Sequence, residues 1–422
     1  MHILGGQSST FRPGSNLADY PNKFLRMSDE FKLPSKKAAL FWDVGTGDST
    51  TLVVKPGEVV VQIDIRHLEK ADNEEEPEWP VIDLLVKSLP KRNGKPYLAL
   101  FILTHPDRDH VQGFAELNRR VEIGELWHTP KIFRDQADEE ALCEDAKAFR
   151  NEAHRRRKAI MEDPANVKSG NRLRIIGHDD VLKDDKYKDF PEEFKSRPGH
   201  RVSMIDGAAL GHDFQAFIHA PFSDDQAANK NNTSLALNVV LWDGDKYGQF
   251  FFFGDREYPT IKRIFQETEA HPDNIAYLYW DAMLCSHHCS KAVMYWQEEG
   301  DNDEVFKQDI MDLFAKYSRN KSGYIVASCH ADFTDGHGHL PPHKKARDAY
   351  EEIVKAGHFI CTHEYPSKKS PVPLIFTVST DGFKFDDKRA KTTGTAVLAS
   401  AVPLAAGGTQ PPGVQVGFGS TE

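Results

Sequence analysis

The sequence predicts an α+β protein, an αββα sandwich of two mixed β-sheets flanked by helices. Three observations lead to this prediction. Apolar, strand-like runs occur in two groups along the chain, helical patterns accompany each group, and several of the runs end in polar residues that suit a binding site. A chain of 422 residues, of which 39% are hydrophobic, is long enough to bury the core of such a sandwich.

The first group of elements occupies the N-terminal half of the chain. Two apolar runs separated by a Gly-Thr-Gly-Asp turn predict strands within residues 38–54, and residues 58–65 continue the meander. Apolar residues at helical spacing, followed by a proline stop, predict a helix over residues 81–90. The run at 97–105 predicts a buried strand, and the charged stretch at 134–162 predicts one long helix.

The second group repeats this pattern in the C-terminal half of the chain. Very apolar runs alternate with amphipathic segments, which is typical of sheets that carry helices on one face. Predicted strands cover residues 214–221, 234–242, 247–255, 323–328 and 373–379, and predicted helices cover residues 258–268, 305–317 and 344–355.

The sequence divides into three regions of different composition. Residues 1–36 are rich in Gly, Ser, Asn and Pro and predict an irregular arm. Residues 37–386 predict one large domain with a helical insertion near 134–200. Residues 387–422 are rich in Ala, Gly, Pro and Thr and predict a disordered tail, which is the segment we consider for a protein partner.

The overall composition favours a cytoplasmic protein. Five scattered cysteines form no disulfide framework, and no window is long and apolar enough for a membrane span. The net charge of −11 argues against broad binding of nucleic acid by the whole surface, although it leaves room for a local basic groove. The basic cluster at residues 154–158 is either a nucleic-acid patch or the solvated face of a helix, and we favour the solvated face.

The densest set of ligand-type residues follows the predicted strand at 97–105. His105, Asp107, Asp109 and His110 lie within six residues, and Pro106 prevents simple continuation of the strand. Packing two imidazoles and two carboxylates so closely costs repulsion and desolvation, which a divalent cation offsets. This loop therefore predicts a metal site, against the alternative of an exposed polar loop.

Further strand-to-loop junctions carry ligand-type residues. Asp255 ends the apolar run FFFFGD, where the preceding glycine lets the backbone turn, so this carboxylate suits a bridge between two ions. Asn231 lies in KNNTS, and His287 and His288 lie in SHHCSK, which also contains Lys291. Taken singly, Asp255 is equally a helix N-cap and Asn231 is more often a turn residue, but their joint occurrence favours a metal site.

The order of these motifs resembles the metallo-β-lactamase superfamily. The segments GTGDS, THPDRDH, NNTSLAL, FFFGD, SHHCSK and GHLPPH follow one another between residues 38 and 379, and they most resemble the branch that includes the hydrolase domain of the competence protein ComEC. Three departures stand out: Asp107 occupies the position of the second histidine, Cys289 replaces a glycine, and the late loop has an extra residue. The channel-forming membrane part of the competence protein is absent, so DNA import is not implied.

The resemblance implies a ligand set around two divalent ions. His105 and Asp107 would bind the first ion, Asp109 and His110 would bind the second, and Asp255 would bridge them. An oxygen-rich first site is harder than a three-histidine site, so manganese becomes plausible beside zinc.

The resemblance leaves two assignments open. His288 matches the last ligand of the family, and His287 would either support the ligands from outside or face the substrate, although the two histidines could exchange roles. The family's third histidine for the first ion has no clear counterpart. Asn231 stands in the right order to replace it, and His219 is the nearest rival histidine.

The expected function is a metal-dependent hydrolase acting on a phosphodiester, with a nuclease as first choice. The partner would then be nucleic acid or a small phosphodiester. Two ions would lower the pKa of a shared water and supply hydroxide at neutral pH. Asp109 would orient that hydroxide, His339 or His343 would protonate the leaving oxygen, and Lys291 would pair with the phosphate.

Two alternatives belong to other classes. The same fold could hydrolyse a small ester, such as a phosphocholine ester or a lactone, and the acidic surface suits a small substrate. The chain could also be a non-catalytic interaction module on a decayed hydrolase fold. Retention of the histidines and aspartates at the strand ends argues against decay.

Overall fold

Two β-sheets face each other across a shared apolar core, and helices cover the outer face of each sheet. The computed structural model describes residues 31–67, 78–130, 142–184, 186–223, 230–336 and 340–387. The prediction of an α+β protein with mixed sheets is confirmed.

The strands are short, and most of their residues are buried. In chain order they are β1 (Lys37–Phe41), β2 (Thr50–Lys55), β3 (Val59–Ile63), β4 (Lys91–Arg92), β5 (Lys95–Ile102), β6 (Glu122–His128), β7 (Arg172–Ile176), β8 (Lys195–Ser196), β9 (Arg201–Val202), β10 (Met204–Ile205), β11 (Ala208–Ala209), β12 (Phe214–Ala220), β13 (Ala236–Asp243), β14 (Lys246–Phe252), β15 (Ala282–Leu284), β16 (Tyr295–Trp296), β17 (Val305–Phe306), β18 (Tyr324–Ala327), β19 (Phe359–Cys361), β20 (Leu374–Ser379) and β21 (Gly382–Phe385).

The α-helices are mostly amphipathic, and each of the longer ones packs an apolar face on a sheet. In chain order they are α1 (Val81–Ser88), α2 (Arg108–Val111), α3 (Phe114–Arg120), α4 (Glu144–Glu162), α5 (Asp179–Leu182), α6 (Tyr258–Glu269), α7 (Gln308–Tyr317) and α8 (Lys344–Ile353). Short 3-10 turns follow several strands.

The first sheet has the order β21-β20-β1-β2-β3-β5-β6-β7-β8, with β4 paired to β5. Its β1–β3 meander is antiparallel, whereas β3, β5, β6, β7 and β8 run parallel. The carboxyl ends of these parallel strands therefore lie at the same edge of the sheet, which is where α/β sheets bind ligands.

The second sheet has the order β19-β18-β15-β14-β13-β12-β9. Strands β12, β13 and β14 form an antiparallel meander, and β14, β15, β18 and β19 run parallel. This arrangement again places the carboxyl ends of the parallel strands at one edge. The loops that leave those ends carry Asp255 and the two adjacent histidines.

Aromatic side chains hold the layers together. Between the sheets, the ring centroid of Phe41 lies 6.1 Å from that of Phe252. Outside the first sheet, Phe149 of α4 packs edge-on against Phe114 of α3. Outside the second sheet, helices α6, α7 and α8 contribute the apolar residues that cover β14, β15 and β18. Burial of these faces supplies the main favourable term for folding.

Several element boundaries differ from the sequence prediction. The helix expected over residues 305–317 begins only at Gln308, because Val305–Phe306 pairs with Tyr295–Trp296 in a small ribbon. Strands β6 and β19 had not been expected. Strand β6 contains a glycine and two glutamates, and β19 has only three residues, so neither has a strong strand pattern.

The terminal segments are described only in part. Residues 31–36 have no regular structure, and Phe31 packs on Trp42 with ring centroids 5.1 Å apart. The rest of the predicted arm and the predicted tail, residues 1–30 and 388–422, lie outside the described residues. Among the helices in the described ranges, none has both the length and the apolar character that would let it cross a bilayer.

The region near 134–200 joins the first sheet. Its described part, residues 142–184 and 186–200, contains α4, β7, α5 and β8, and β7 extends the sheet in parallel from β6. The buried Arg156 attaches α4 to the sheet, since its guanidinium donates to the carbonyl oxygens of Ile123 and Gly124. The interpretation of residues 154–158 as a solvated helix face is therefore wrong for Arg156.

Candidate metal centre

Four strand ends from the two sheets meet at one place. Asp64 follows β3 and His105 follows β5, both in the first sheet. Asp255 follows β14 and His288 follows β15, both in the second sheet. Because all four strands run parallel to a neighbour, their carboxyl ends deliver these side chains to the same edge of the sandwich.

The centre contains a buried cluster of two carboxylates and two imidazoles. Asp48, His110, Asp255 and His288 each offer one ligand atom, and these atoms all lie within 4.8 Å of one another. His110 Nε2 is 3.1 Å from Asp255 Oδ1 and 3.2 Å from His288 Nε2. His288 Nδ1 is 3.4 Å from Asp48 Oδ1. This cluster can hold a metal ion.

Three predicted ligands border this cluster. His105 Nε2 lies 3.6 Å from Asp255 Oδ2 and 3.9 Å from Asp107 Oδ2. Asp109 Oδ2 lies 2.9 Å from His288 Nε2. Asp255 Oδ2 lies within 4 Å of both His105 and His288, and these two histidines contact Asp107 and Asp109, respectively.

The backbone of the His-His loop has an unusual conformation. His287, His288 and Cys289 all have positive φ angles, of 50°, 52° and 65°. Non-glycine residues rarely adopt this region, and such strain concentrates at functional sites. The conformation turns His288 inward, where it is buried, and it leaves His287 Nε2 3.8 Å from Asp255 Oδ2.

Asp48 was not expected as a ligand, although its GTGDS segment was part of the resemblance. Its backbone N–H donates to the carbonyl oxygen of Asp109 at 3.1 Å, which joins the loop between β1 and β2 to the loop after β5. A Cβ at Gly47 would lie 2.8 Å from that same carbonyl oxygen. The glycine thus permits the close approach of the two loops, and this approach brings Asp48 into the centre.

Asp64 was also missed by sequence reasoning. Its Oδ2 lies 2.8 Å from His110 Nδ1, and its two oxygens accept hydrogen bonds from the backbone N–H and the hydroxyl of Thr104. The only signal in the sequence was an acidic residue at the end of an apolar strand, QIDI, much as in FFFGD.

Opposite charges dominate the electrostatics of the centre. Burial acts to raise the pKa of Asp255, but His110 and His288 outweigh it and hold that pKa well below the usual range. Burial acts to lower the pKa of His288, but Asp255 and Asp48 raise it to about 10. The carboxylates thus create a strongly negative buried site that favours cations, whether imidazolium groups or metal ions.

The residues fit a metal ion on a further ground. Asp48 Oδ1, His105 Nε2, Asp255 Oδ1 and His288 Nδ1 are buried beside charged neighbours of the cluster, but none of these four atoms makes a hydrogen bond of good geometry among the described residues. Buried polar atoms are normally hydrogen-bonded, and a metal ion would satisfy them instead. Nitrogen and oxygen ligands of this kind suit zinc and manganese.

Several other predicted site residues have contacts with partners outside the cluster, and one is not described. Lys291 Nζ pairs with Glu304 Oε1 at 2.6 Å. His343 is buried, and its Nδ1 accepts a hydrogen bond from the backbone of Lys291. Asn231 accepts hydrogen bonds from Ser234 through its backbone carbonyl. His339 lies outside the described residues.

His219 is a core residue rather than a rival ligand. Its ring stacks on Phe251 with centroids 4.8 Å apart. Its nitrogen atoms lie 3.1 Å from Thr268 Oγ1 and 3.2 Å from the carbonyl oxygen of Tyr277. Burial lowers the pKa of this imidazole to about 3.

A cavity of about 300 Å³ adjoins the cluster. It is lined by Thr46, Arg66, Arg108, Asp109 and Gln112. Asp109 lines the cavity and contacts His288 of the cluster, so a molecule in the cavity would lie beside the ligand residues. The cavity is small for a ligand site, and two of its five lining residues are arginines.

Comparison with known proteins found no protein-family model that matches the chain, and no curated protein matches it.

Proposed function

We propose that this chain is a metal-dependent hydrolase of the metallo-β-lactamase type that holds two divalent ions, zinc or manganese, and acts on phosphodiesters. One observation carries the proposal: the buried Asp255 lies within 4 Å of His105, His110 and His288, which come from both sheets. A carboxylate surrounded in this way is what a dinuclear centre requires of its bridge.

The surrounding residues would divide into two sets. His105 and Asp107 would hold the first ion. His110 and His288, together with Asp109 and Asp48, would hold the second. Asn231 stays a candidate for completing the first set. His287 is a partly exposed imidazole close to Asp255.

The chemistry divides between the ions and the protein. Bound ions would lower the pKa of a water molecule and withdraw charge from phosphoryl oxygens. Asp109 is 36% exposed, so its carboxylate faces both the cluster and the cavity. In the proposed reaction, Asp109 would accept a hydrogen bond from the attacking water and orient it. Asp64 holds the ring of His110 in place through its contact with Nδ1.

The proposal predicts both metal content and turnover. Purified protein should contain about two ions per chain and should hydrolyse a bis-aryl phosphate and single-stranded DNA. A chelator should remove both the ions and the activity, and added zinc or manganese should restore them. The variant Asp109→Ala should lose turnover and keep its circular dichroism, whereas Asp245→Ala, an exposed hairpin residue, should keep both.

Other outcomes separate the alternatives. Steep loss of substrate affinity with added salt indicates a nuclease, whereas a small-ester hydrolase would show little salt dependence. Metal-loaded protein that cleaves only carboxylic esters or phosphocholine esters would contradict the phosphodiester substrate. Protein that binds no metal and hydrolyses nothing would support the interaction module.

A further inference from the structure

The cavity beside the metal centre carries a cationic recognition surface of its own. Arg66 and Arg108 line it together with the hydroxyl-bearing Thr46 and the amide-bearing Gln112. All four side chains can donate hydrogen bonds, and two of them carry a positive charge. The acidic member of the lining, Asp109, is one that the proposed ions would neutralise.

Arg66 is held in place by the structure around it. Its side chain is 15% exposed, and Glu78 accepts a hydrogen bond from its Nη1 at 3.1 Å. A Cβ at Gly47 would lie 2.2 Å from Arg66 Cδ, and one at Gly45 would lie 2.6 Å from Nη1. The two glycines thus make the room that this guanidinium occupies. A guanidinium has five N–H donors, so most remain for a ligand after the bond to Glu78.

The other lining groups complement Arg66. Thr46 Oγ1 accepts a hydrogen bond from the backbone N–H of His330 at 3.3 Å, so its own hydroxyl hydrogen is available to donate. Arg108 is exposed, and no described residue pairs with its guanidinium. A fixed arginine, an adaptable arginine and a hydroxyl donor match the oxygens of a phosphate group, which arginine binds through paired hydrogen bonds.

We propose that this cavity is a subsite for a second phosphate group, next to the one that is cleaved. The inference deepens the proposed function, because the subsite shares Asp109 with the metal centre. It selects nucleotide-type substrates, in which successive phosphates are separated by one sugar, over esters with a single charge. No aromatic ring lines the described cavity, so it does not suit the quaternary ammonium of a phosphocholine ester.

Binding of inorganic phosphate tests the subsite without relying on catalysis. Isothermal titration of the metal-loaded full chain should show that Arg66→Gln and Arg108→Gln each weaken phosphate binding about tenfold, since each removes charged hydrogen bonds. Arg119→Gln, an exposed arginine outside the cavity, should leave the affinity unchanged. Metal content and melting temperature should be measured for every variant. If Arg66→Gln fails to fold, the exposed Arg108→Gln decides the matter alone.

Kinetics provide the second arm of the test. Thymidine 5′-(4-nitrophenyl phosphate) and its 3′-phosphorylated form differ by one phosphate. The wild type should prefer the 3′-phosphorylated form in kcat/KM by about tenfold, and both arginine variants should bring that ratio towards one. Equal kcat/KM values in the wild type, with phosphate affinity unchanged in the variants, would overturn the subsite and leave the hydrolase intact. Arginine-dependent phosphate binding without any hydrolysis would support the subsite and contradict the proposed hydrolase.

Discussion

His110 Nδ1 lies 2.8 Å from Oδ2 of Asp64, a carboxylate that stands behind the proposed metal centre. Thr104 fixes that carboxylate through its backbone N–H at 2.8 Å and its hydroxyl at 2.6 Å. A carboxylate in this position accepts a hydrogen bond from Nδ1–H, which leaves Nε2, 3.1 Å from Asp255 Oδ1, as the nitrogen that can exchange its proton for a metal ion. The contact therefore selects the tautomer of His110 that can bind a metal.

Replacing Asp64 by asparagine should weaken metal binding by about 10- to 100-fold. The asparagine amide can donate to Nδ1, which would place the proton on Nε2 and remove the ligand lone pair. Competition with a chromogenic chelator measures the affinity. Asp281→Asn provides a matched control, because Asp281 is a buried aspartate at the amino end of β15. Wild-type affinity in Asp64→Asn would show that the contact does not tune His110.

The two sides of the centre should differ in metal stoichiometry. Asp255→Ala removes the carboxylate that lies near three histidines, so we expect loss of both ions. Asp107 is 31% exposed and contacts only His105 of the cluster at 3.9 Å, so Asp107→Ala should retain about one ion. Metal analysis after gel filtration measures both. Two ions retained in Asp255→Ala would exclude it as the bridge.

The sequence was sufficient to predict the class of fold and most of the long strands. Runs such as FQAFIHA and the FFF of β14 are apolar enough to identify buried strands from local pattern alone. Strand β6 was missed because its partners, β5 and β7, lie far from it in sequence, and pairing rather than local pattern defines it. Tertiary context decides such weak strands.

The candidate site was predictable where ligands cluster along the chain. His105, Asp107, Asp109 and His110 are neighbours in sequence, so their chemistry is visible without a structure. Asp64 enters the site only through the parallel pairing of β3 with β5, which no local pattern reveals. Proximity to a motif in sequence also does not fix the partner of a side chain: Lys291 pairs with Glu304, and its role towards phosphate stays a prediction.

Gly254 should be far less replaceable than a glycine of similar conformation elsewhere. It has φ +58°, and a Cβ there would lie 2.7 Å from Ser234 Cβ, directly before Asp255. Gly254→Ala should lower the free energy of unfolding by about 3 kcal/mol, from backbone strain plus overpacking, and should weaken metal binding. Gly244→Ala is the control, because Gly244 has φ +65° and open space around it. Gly244→Ala should lower the free energy of unfolding by about 1 kcal/mol and leave metal binding unchanged. Equal losses in urea denaturation would contradict this account.

The buried His219 should contribute to acid unfolding. Burial lowers the pKa of His219 to about 3 in the folded chain, so below about pH 6.5 the unfolded state takes up a proton that the folded state does not. Stability is therefore fully present above pH 6.5 and falls as the pH drops towards 3. The contribution of one such group is at most about 1.4 kcal/mol per pH unit.

The variant His219→Phe removes this proton uptake while keeping a ring that can stack on Phe251. It should be less stable at neutral pH, because Thr268 Oγ1 and the carbonyl oxygen of Tyr277 lose their partner. The slope of its unfolding free energy between pH 6.5 and 4 should nevertheless be smaller than that of the wild type, by up to about 1.4 kcal/mol per pH unit. Urea denaturation at several pH values measures both slopes. The exposed His154, replaced by glutamine, is the control and should keep the wild-type slope. An unchanged slope in His219→Phe would mean that acid unfolding of this protein is governed by other groups.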